Sequence, residues 1–154
     1  VAGLPPQTTV TEAADLFLAP EYARMLCLPV VENDVALGTI SRHTLNGIFM
    51  RRFGRELYGT KPITALMNAT PLRVTADATL EDAAAHVTAH LGSPITEDFI
   101  IESHGTYAGM GVVLDLLSAL QERVAKLNRL LRIESILGAR AIFPGRAAIA
   151  RGKK

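Results

Sequence analysis

The sequence has no tryptophan, only 5% aromatic residues, a single cysteine and almost no net charge. One thiol, Cys27, excludes both an internal disulfide and a cysteine-based zinc site, which points to a cytoplasmic setting. Cys27 sits in the apolar run Met25–Val31, where a small buried residue is expected rather than a reactive one. A formal charge of +1 gives no case for nucleic acid, whose phosphates need a clustered basic surface. Arg51, Arg52 and Arg55 do cluster, as do Arg146, Arg151, Lys153 and Lys154, and these read as a solvated face and a basic tail. No apolar run approaches the roughly 20 residues of a membrane helix, so no direct membrane insertion is expected. No basic stretch leads into an apolar one as in a secretion signal. The first residue is Val1 rather than methionine, which reads as the start of a piece cut from a longer protein.

What is present is a globular composition, 49% hydrophobic and 20% charged, on a chain of 154 residues. That length holds one ordinary domain or two small modules sharing a core. The chain repeats itself. Thr9-Val-Thr-Glu-Ala-Ala aligns with Thr79-Leu-Glu-Asp-Ala-Ala, and at the same offset Val30-Val31-Glu32 falls on Ile100-Ile101-Glu102. After a one-residue adjustment Gly38 falls on Gly109. Repeats of this kind define the architecture before any other feature does.

Each copy predicts the same order of elements. A threonine cap (Thr9 or Thr11, then Thr79) opens a helix with acidic residues in its first turn. A short apolar strand follows, Leu28 to Glu32 or Phe99 to Glu102, and then a polar hairpin turn at Asn33-Asp34 or Ser103-His104-Gly105. A second strand crosses the glycine and enters a second helix, near Arg42 to Arg52 or from Leu114 onward. Each copy leaves an apolar sheet face that two copies packed together would bury. Between them, Pro62 suits the start of a short helix carrying Ile63, Leu66 and Met67 inward. The expected division is module one over 1–55, a structured connector over 56–70, module two over 71–122, and a C-terminal helix and tail over 123–154.

Leu28-Pro-Val-Val-Glu32, Gly38-Thr-Ile-Ser-Arg-His-Thr44 and Lys61-Pro-Ile-Thr-Ala-Leu-Met67 together resemble a tandem pair of CBS domains, the cystathionine-β-synthase-type modules. The resemblance covers about residues 4 to 122 and implies an α/β fold of two βαββα modules related by a pseudo-twofold axis, with a cleft on each side. Arg52-Phe-Gly-Arg-Glu-Leu-Tyr-Gly59 further resembles connectors in bacterial signalling proteins that carry cyclic-dinucleotide effector domains. The resemblance implies a regulatory unit rather than an enzyme, a homodimer controlling an effector domain in cis or in trans, and an adenosine ligand such as AMP, ADP, ATP or S-adenosylmethionine. In that pattern a glycine lets the backbone approach the ligand, a carboxylate accepts from ribose hydroxyls, and a hydroxyl near a helix start meets phosphate. Copy one has Gly38 and Ser41, with Arg42 and His43 as phosphate contacts, but Thr44 stands where the carboxylate belongs. Copy two has Gly109 and Asp115, with Val74, Thr75 and Ile100 around them, but Val112 replaces the hydroxyl. The alternative is a purely structural dimerisation module whose clefts bind nothing.

No other motif carries chemistry. His86 and His90 lie one helical turn apart but lack a third metal ligand nearby, since a Gly-Ser-Pro break intervenes before Glu97 and Asp98. No general acid, base and oxyanion donor come together. Leu117, Leu120, Val124, Leu127 and Leu131 follow the three-four spacing of a coiled-coil seam, which serves as a dimer contact, as a lever to an effector, or simply as packing on its own core. Gly138, Pro144 and Gly145 are expected to break the helix.

Overall fold

The computed structural model describes residues 1–151, with side chains described through Leu137. Thr9 caps α1 (Val10–Leu16) in a full capping box: its hydroxyl accepts from the Glu12 amide and the Glu12 carboxylate accepts from the Thr9 amide. Thr79 caps α4 (Leu80–His90), its hydroxyl accepting from the Asp82 amide. The apolar run Cys27–Glu32 forms β1, which pairs antiparallel with β2 (Val35–Ser41). Its counterpart β4 (Phe99–Ser103) pairs antiparallel with β5 (Thr106–Gly111) and parallel with β3 (Arg73–Thr75). In copy one the place of β3 is taken by a single parallel bridge from Leu4 to Val30. β2 leads into α2 (Arg42–Phe49) and β5 into α5 (Val113–Arg151). Copy two is thus a βαββα unit and copy one the same unit with a bridge in place of its first strand, the fold class that the resemblance implied.

The hairpins match to the residue. Val30 faces Gly38 and Ile101 faces Gly109, and in both ladders the register slips at the next residue, between Val30 and Val31 and between Ile101 and Glu102. Both turns carry two left-handed residues, Asn33 and Asp34 in one copy and His104 and Gly105 in the other, the backbone that a tight two-residue hairpin demands. This corrects the sequence alignment. The structural partner of Val30 is Ile101, not Ile100, and Glu102 corresponds to Val31. The extra residue of copy two therefore lies between α4 and β4, and not between the two strands.

Under this register Cys27 corresponds to Asp98, and the two residues touch: the Cys27 thiol lies 3.9 Å from the Asp98 carbonyl oxygen. Equivalent residues meet only near the axis that relates two copies, so this contact marks the approximate dyad. The core follows from it. Val10, Ala13, Leu28, Val30, Ile40, Leu45 and Ile63 form the centre of copy one, and Met110 and Val112 of copy two pack against it. A smaller cluster of Val74, Ala83, Val87, Phe99 and Val113 fills copy two. The connector turns inward as expected at Ile63, which is fully buried, with Leu66 and Met67 half-buried. An extra short helix, α3 (Gly54–Tyr58), follows α2.

Residues from Leu117 form a second compact unit made of α5. The helix does not break at Gly138, Pro144 and Gly145; it runs on to Arg151. Within this unit Val124, Leu127 and Leu131 of the expected seam are each more than half exposed. Of the basic tail, Lys153 and Lys154 and the side chains of Arg146 and Arg151 lie outside the described residues. Among the described residues no helix is long and apolar enough to cross a membrane.

Candidate functional site

A cluster of polar residues surrounds the dyad. Asp98 is 1% exposed, and its two carboxylate oxygens accept from the Leu26 and Val113 amides, each at 3.0 Å. One side chain thus ties the entry of β1 in copy one to the start of α5 in copy two. Its neighbour Glu97 accepts from the Thr39 hydroxyl at 3.2 Å and from the Asn68 amide at 2.8 Å, joining β2, the connector and the segment before β4. Thr39 is fully buried. Cys27 lies in the same cluster. Burial first, then the nearby Glu97 and Asp98 charges, push its thiol up to about 12, outweighing hydrogen bonds that act the other way.

Two consequences of that shift are measurable. The native thiol is expected to resist alkylation at pH 8 and to react only on unfolding. The unfolded thiol loses its proton near 9 and the folded one not until about 12, so the native state holds the extra proton between those values. Stability contributed by the neutral thiol is full below pH 9 and falls by about 1.4 kcal/mol for each unit above it. Urea unfolding of wild type against Cys27→Ala should show the two curves converging on the wild-type side as pH rises from 9. Parallel curves would refute the shift.

Beside Glu97 and Asp98 opens a cavity of about 700 Å³, lined by Asn68, Thr70, Arg73, His86, His90 and Glu97 among others. A smaller one of about 260 Å³ shares Arg73 and His86 and adds Val74 and Thr75. Arg73 donates to the Glu102 carboxylate and, at 3.1 Å, to the Ala36 carbonyl, which holds it between the two copies. His90 lies 2.8 Å through Nδ1 from the His86 carbonyl oxygen, and the two rings are in contact, tilted by 47° with centroids 4.6 Å apart. Among the described residues no group of three His, Cys, Asp or Glu is placed to hold a metal ion. The site therefore offers a guanidinium, two imidazoles, neutral donors and a carboxylate around a space of ligand size.

The residues singled out in the sequence are scattered around this space. Val74 and Thr75 line the smaller cavity, while Ile100 is fully buried in the core. Gly109 is open, with nothing within 4 Å of an added Cβ. Gly38 is covered: an added Cβ would lie 2.3 Å from the Asn68 carbonyl oxygen, because Asn68 pairs with Thr39 through two backbone hydrogen bonds of 3.0 and 2.8 Å. Ser41 caps α2, accepting from the Thr44 amide and donating to the Thr44 hydroxyl. Arg42 stacks 4.6 Å from the Phe17 ring and donates to the carbonyls of Phe17, Tyr22 and Met25. His43 is exposed, and Asp115 pairs with Arg24 at 2.5 Å on the surface. Neither cavity is lined by Gly109 or Asp115. Asn68, Arg73 and the Glu97–Asp98 pair were not assigned to a ligand site from sequence. The signal for Asp98 was a charged residue heading an apolar strand, at the position where copy one has Cys27.

Comparisons with known proteins agree with this fold. The family model of the CBS domain matches residues 1–50. A solved structure of CBSX2 in complex with AMP superposes with a TM-score of 0.61 at 22% identity, covering 80% of this chain and 90% of that one. Residues 1–50 thus match the CBS-domain family, and the fold of the chain is that of CBS-domain structures. Other CBS-domain-containing proteins superpose as well. One from Bacillus anthracis gives a TM-score of 0.63 at 16% identity over 79% of this chain and 85% of its own. One from Agrobacterium tumefaciens gives 0.59 at 17% identity over 77% and 88%. No curated protein matches the sequence. A second family model, the C-terminal TIM barrel domain of enolase, matches residues 68–151. The fold contradicts that likeness. A TIM barrel needs parallel strands each followed by a helix, whereas β4 and β5 form an antiparallel hairpin and lead into one long helix. The fold of both copies is instead the one shared with the CBS-domain structures.

Proposed function

We propose that this chain is a regulatory module that binds an adenosine nucleotide (AMP, ADP, ATP or S-adenosylmethionine) in the larger cavity of copy two and controls an attached or partner domain. The observation that carries this reading is the cavity of about 700 Å³ with Arg73, His86 and His90 for phosphate and Glu97 for ribose hydroxyls. Both Glu97 oxygens already accept one hydrogen bond each, and a carboxylate oxygen has room for a second. Ligand at Glu97 would also sit next to Asp98, which holds the first residue of α5. That gives occupancy a route to the helix, provided the ligand favours one of two arrangements. We read the modules as residues 1–55 and 71–122, joined by 56–70, with 123–154 as the helix and tail. The seam that meets a second copy starts at Leu117 and Leu120 at the end of module two and runs on through Val124, Leu127 and Leu131.

A thermal-shift panel of AMP, ADP, ATP, S-adenosylmethionine and cyclic dinucleotides tests this. One adenosine ligand at about a hundred times its Kd is expected to add about 2.7 kcal/mol and several degrees to Tm. Glu97→Gln should weaken that ligand about tenfold, the loss of a charge-assisted hydrogen bond. No shift with any member at millimolar concentration would leave the second reading, a purely structural dimerisation module. That reading is favoured by Gly38, Ser41 and Asp115, each of which already has a partner within the chain.

A further inference from the structure

The elbow between α2 and α3 exposes more apolar surface than its neighbours do. Met50 is 86% exposed, Phe53 58% and Leu57 60%. Phe53, the N-cap of α3, and Leu57, within that helix, are joined by a backbone hydrogen bond of 2.9 Å and lie within one turn of each other. Phe53 is also left-handed, with φ 59 and ψ 19, a conformation unfavourable for a bulky side chain and natural for glycine. The fold enforces it. Gly54 is buried so closely under α2 that an added Cβ would lie 1.8 Å from the Ile48 carbonyl oxygen. A strained backbone that presents an aromatic ring to solvent does nothing for the core.

Cations surround this ring. Arg51, Arg52 and Arg55 are exposed, with Arg52 stacked 5.0 Å from the Phe53 ring and Arg55 4.9 Å from the Phe49 ring. None of the three has an acidic partner among the described residues. The sequence reading of these arginines as a solvated face missed Phe53 in their midst.

We infer that this elbow is a docking surface for an acidic protein segment carrying an apolar anchor. Stacked guanidinium forks keep their edges free for bidentate contact with carboxylates, and Met50, Phe53 and Leu57 take the anchor. A membrane surface fits less well, because a five-residue helix offers too little apolar length to bind one stably. The inference does not rest on nucleotide binding.

The test uses the full chain and a fluorescent peptide of glutamate and leucine at helical spacing, alongside a glutamate–alanine peptide, a lysine–leucine peptide and phosphatidylserine vesicles. Saturable binding of the glutamate–leucine peptide alone is expected, weakening as salt rises. Arg52→Glu with Arg55→Glu should weaken it at least tenfold. Phe53→Gly should do the same while leaving Tm unchanged or a few degrees higher, since it relieves the left-handed strain. Failure to bind, equal binding by the variants, or preference for vesicles would overturn the inference. So would a clear fall in Tm for Phe53→Gly, which would make the ring a structural element.

Discussion

Replacing Asp98 with alanine is expected to lower stability by roughly 3–5 kcal/mol, because two charge-assisted hydrogen bonds to backbone amides vanish together. The Val113 amide is buried and has no water to turn to, and the Leu26 amide is part-buried. For a chain of this size that loss amounts to a fall in Tm of about 10–15 °C. Asp98→Asn should cost about half as much, since an amide oxygen keeps one acceptor while its NH2 group faces the other amide donor. Urea denaturation of both variants reads these values directly. An alanine variant within 1 kcal/mol of wild type would show that Asp98 does not join the two copies.

Gly38→Ala comes next in size, at roughly 2–4 kcal/mol. The added methyl would fall 2.3 Å from the Asn68 carbonyl oxygen and 3.2 Å from the Met67 sulfur. The sulfur can swing away, but the carbonyl is held by the two-bond bridge to Thr39, so the connector must lift from β2. Glu97 would then lose Asn68 as a partner, and the wall of the larger cavity would open. Gly109→Ala is the built-in control. It occupies the equivalent strand position, meets nothing within 4 Å, and is expected to change stability by less than about 0.5 kcal/mol. Equal losses at the two glycines would mean that the connector does not lie over copy one alone.

This contrast shows what the sequence made legible and what it hid. The duplication was visible because threonine caps, apolar strands and hairpin turns are local features with a fixed chemistry. The one-residue offset was placed wrongly because Val-Val-Glu and Ile-Ile-Glu are interchangeable by composition. Only the ladder slip after Val30 and after Ile101 fixes the register. The site was less legible still. Ser41, Arg42 and Asp115 looked like ligand contacts by position, yet their partners are Thr44, three carbonyls and Arg24, the last from 91 residues away. The Asp115–Arg24 pair depends on how the copies meet and the Arg42 contacts on how the loop after α1 folds back, neither of which a local pattern encodes. The end of α5 was misread for a related reason: glycine and proline disfavour a helix without forbidding it.

The central claim is that the two similar halves have diverged in use: copy one closes over its own connector, and copy two keeps the cavity. Calorimetric titration of the full chain with AMP tests this most directly. The account predicts one nucleotide per chain, with affinity lowered about tenfold by Glu97→Gln and unchanged by Ser41→Ala at fixed folded fraction. Two equivalent sites per chain, or no heat of binding at millimolar AMP, would contradict it.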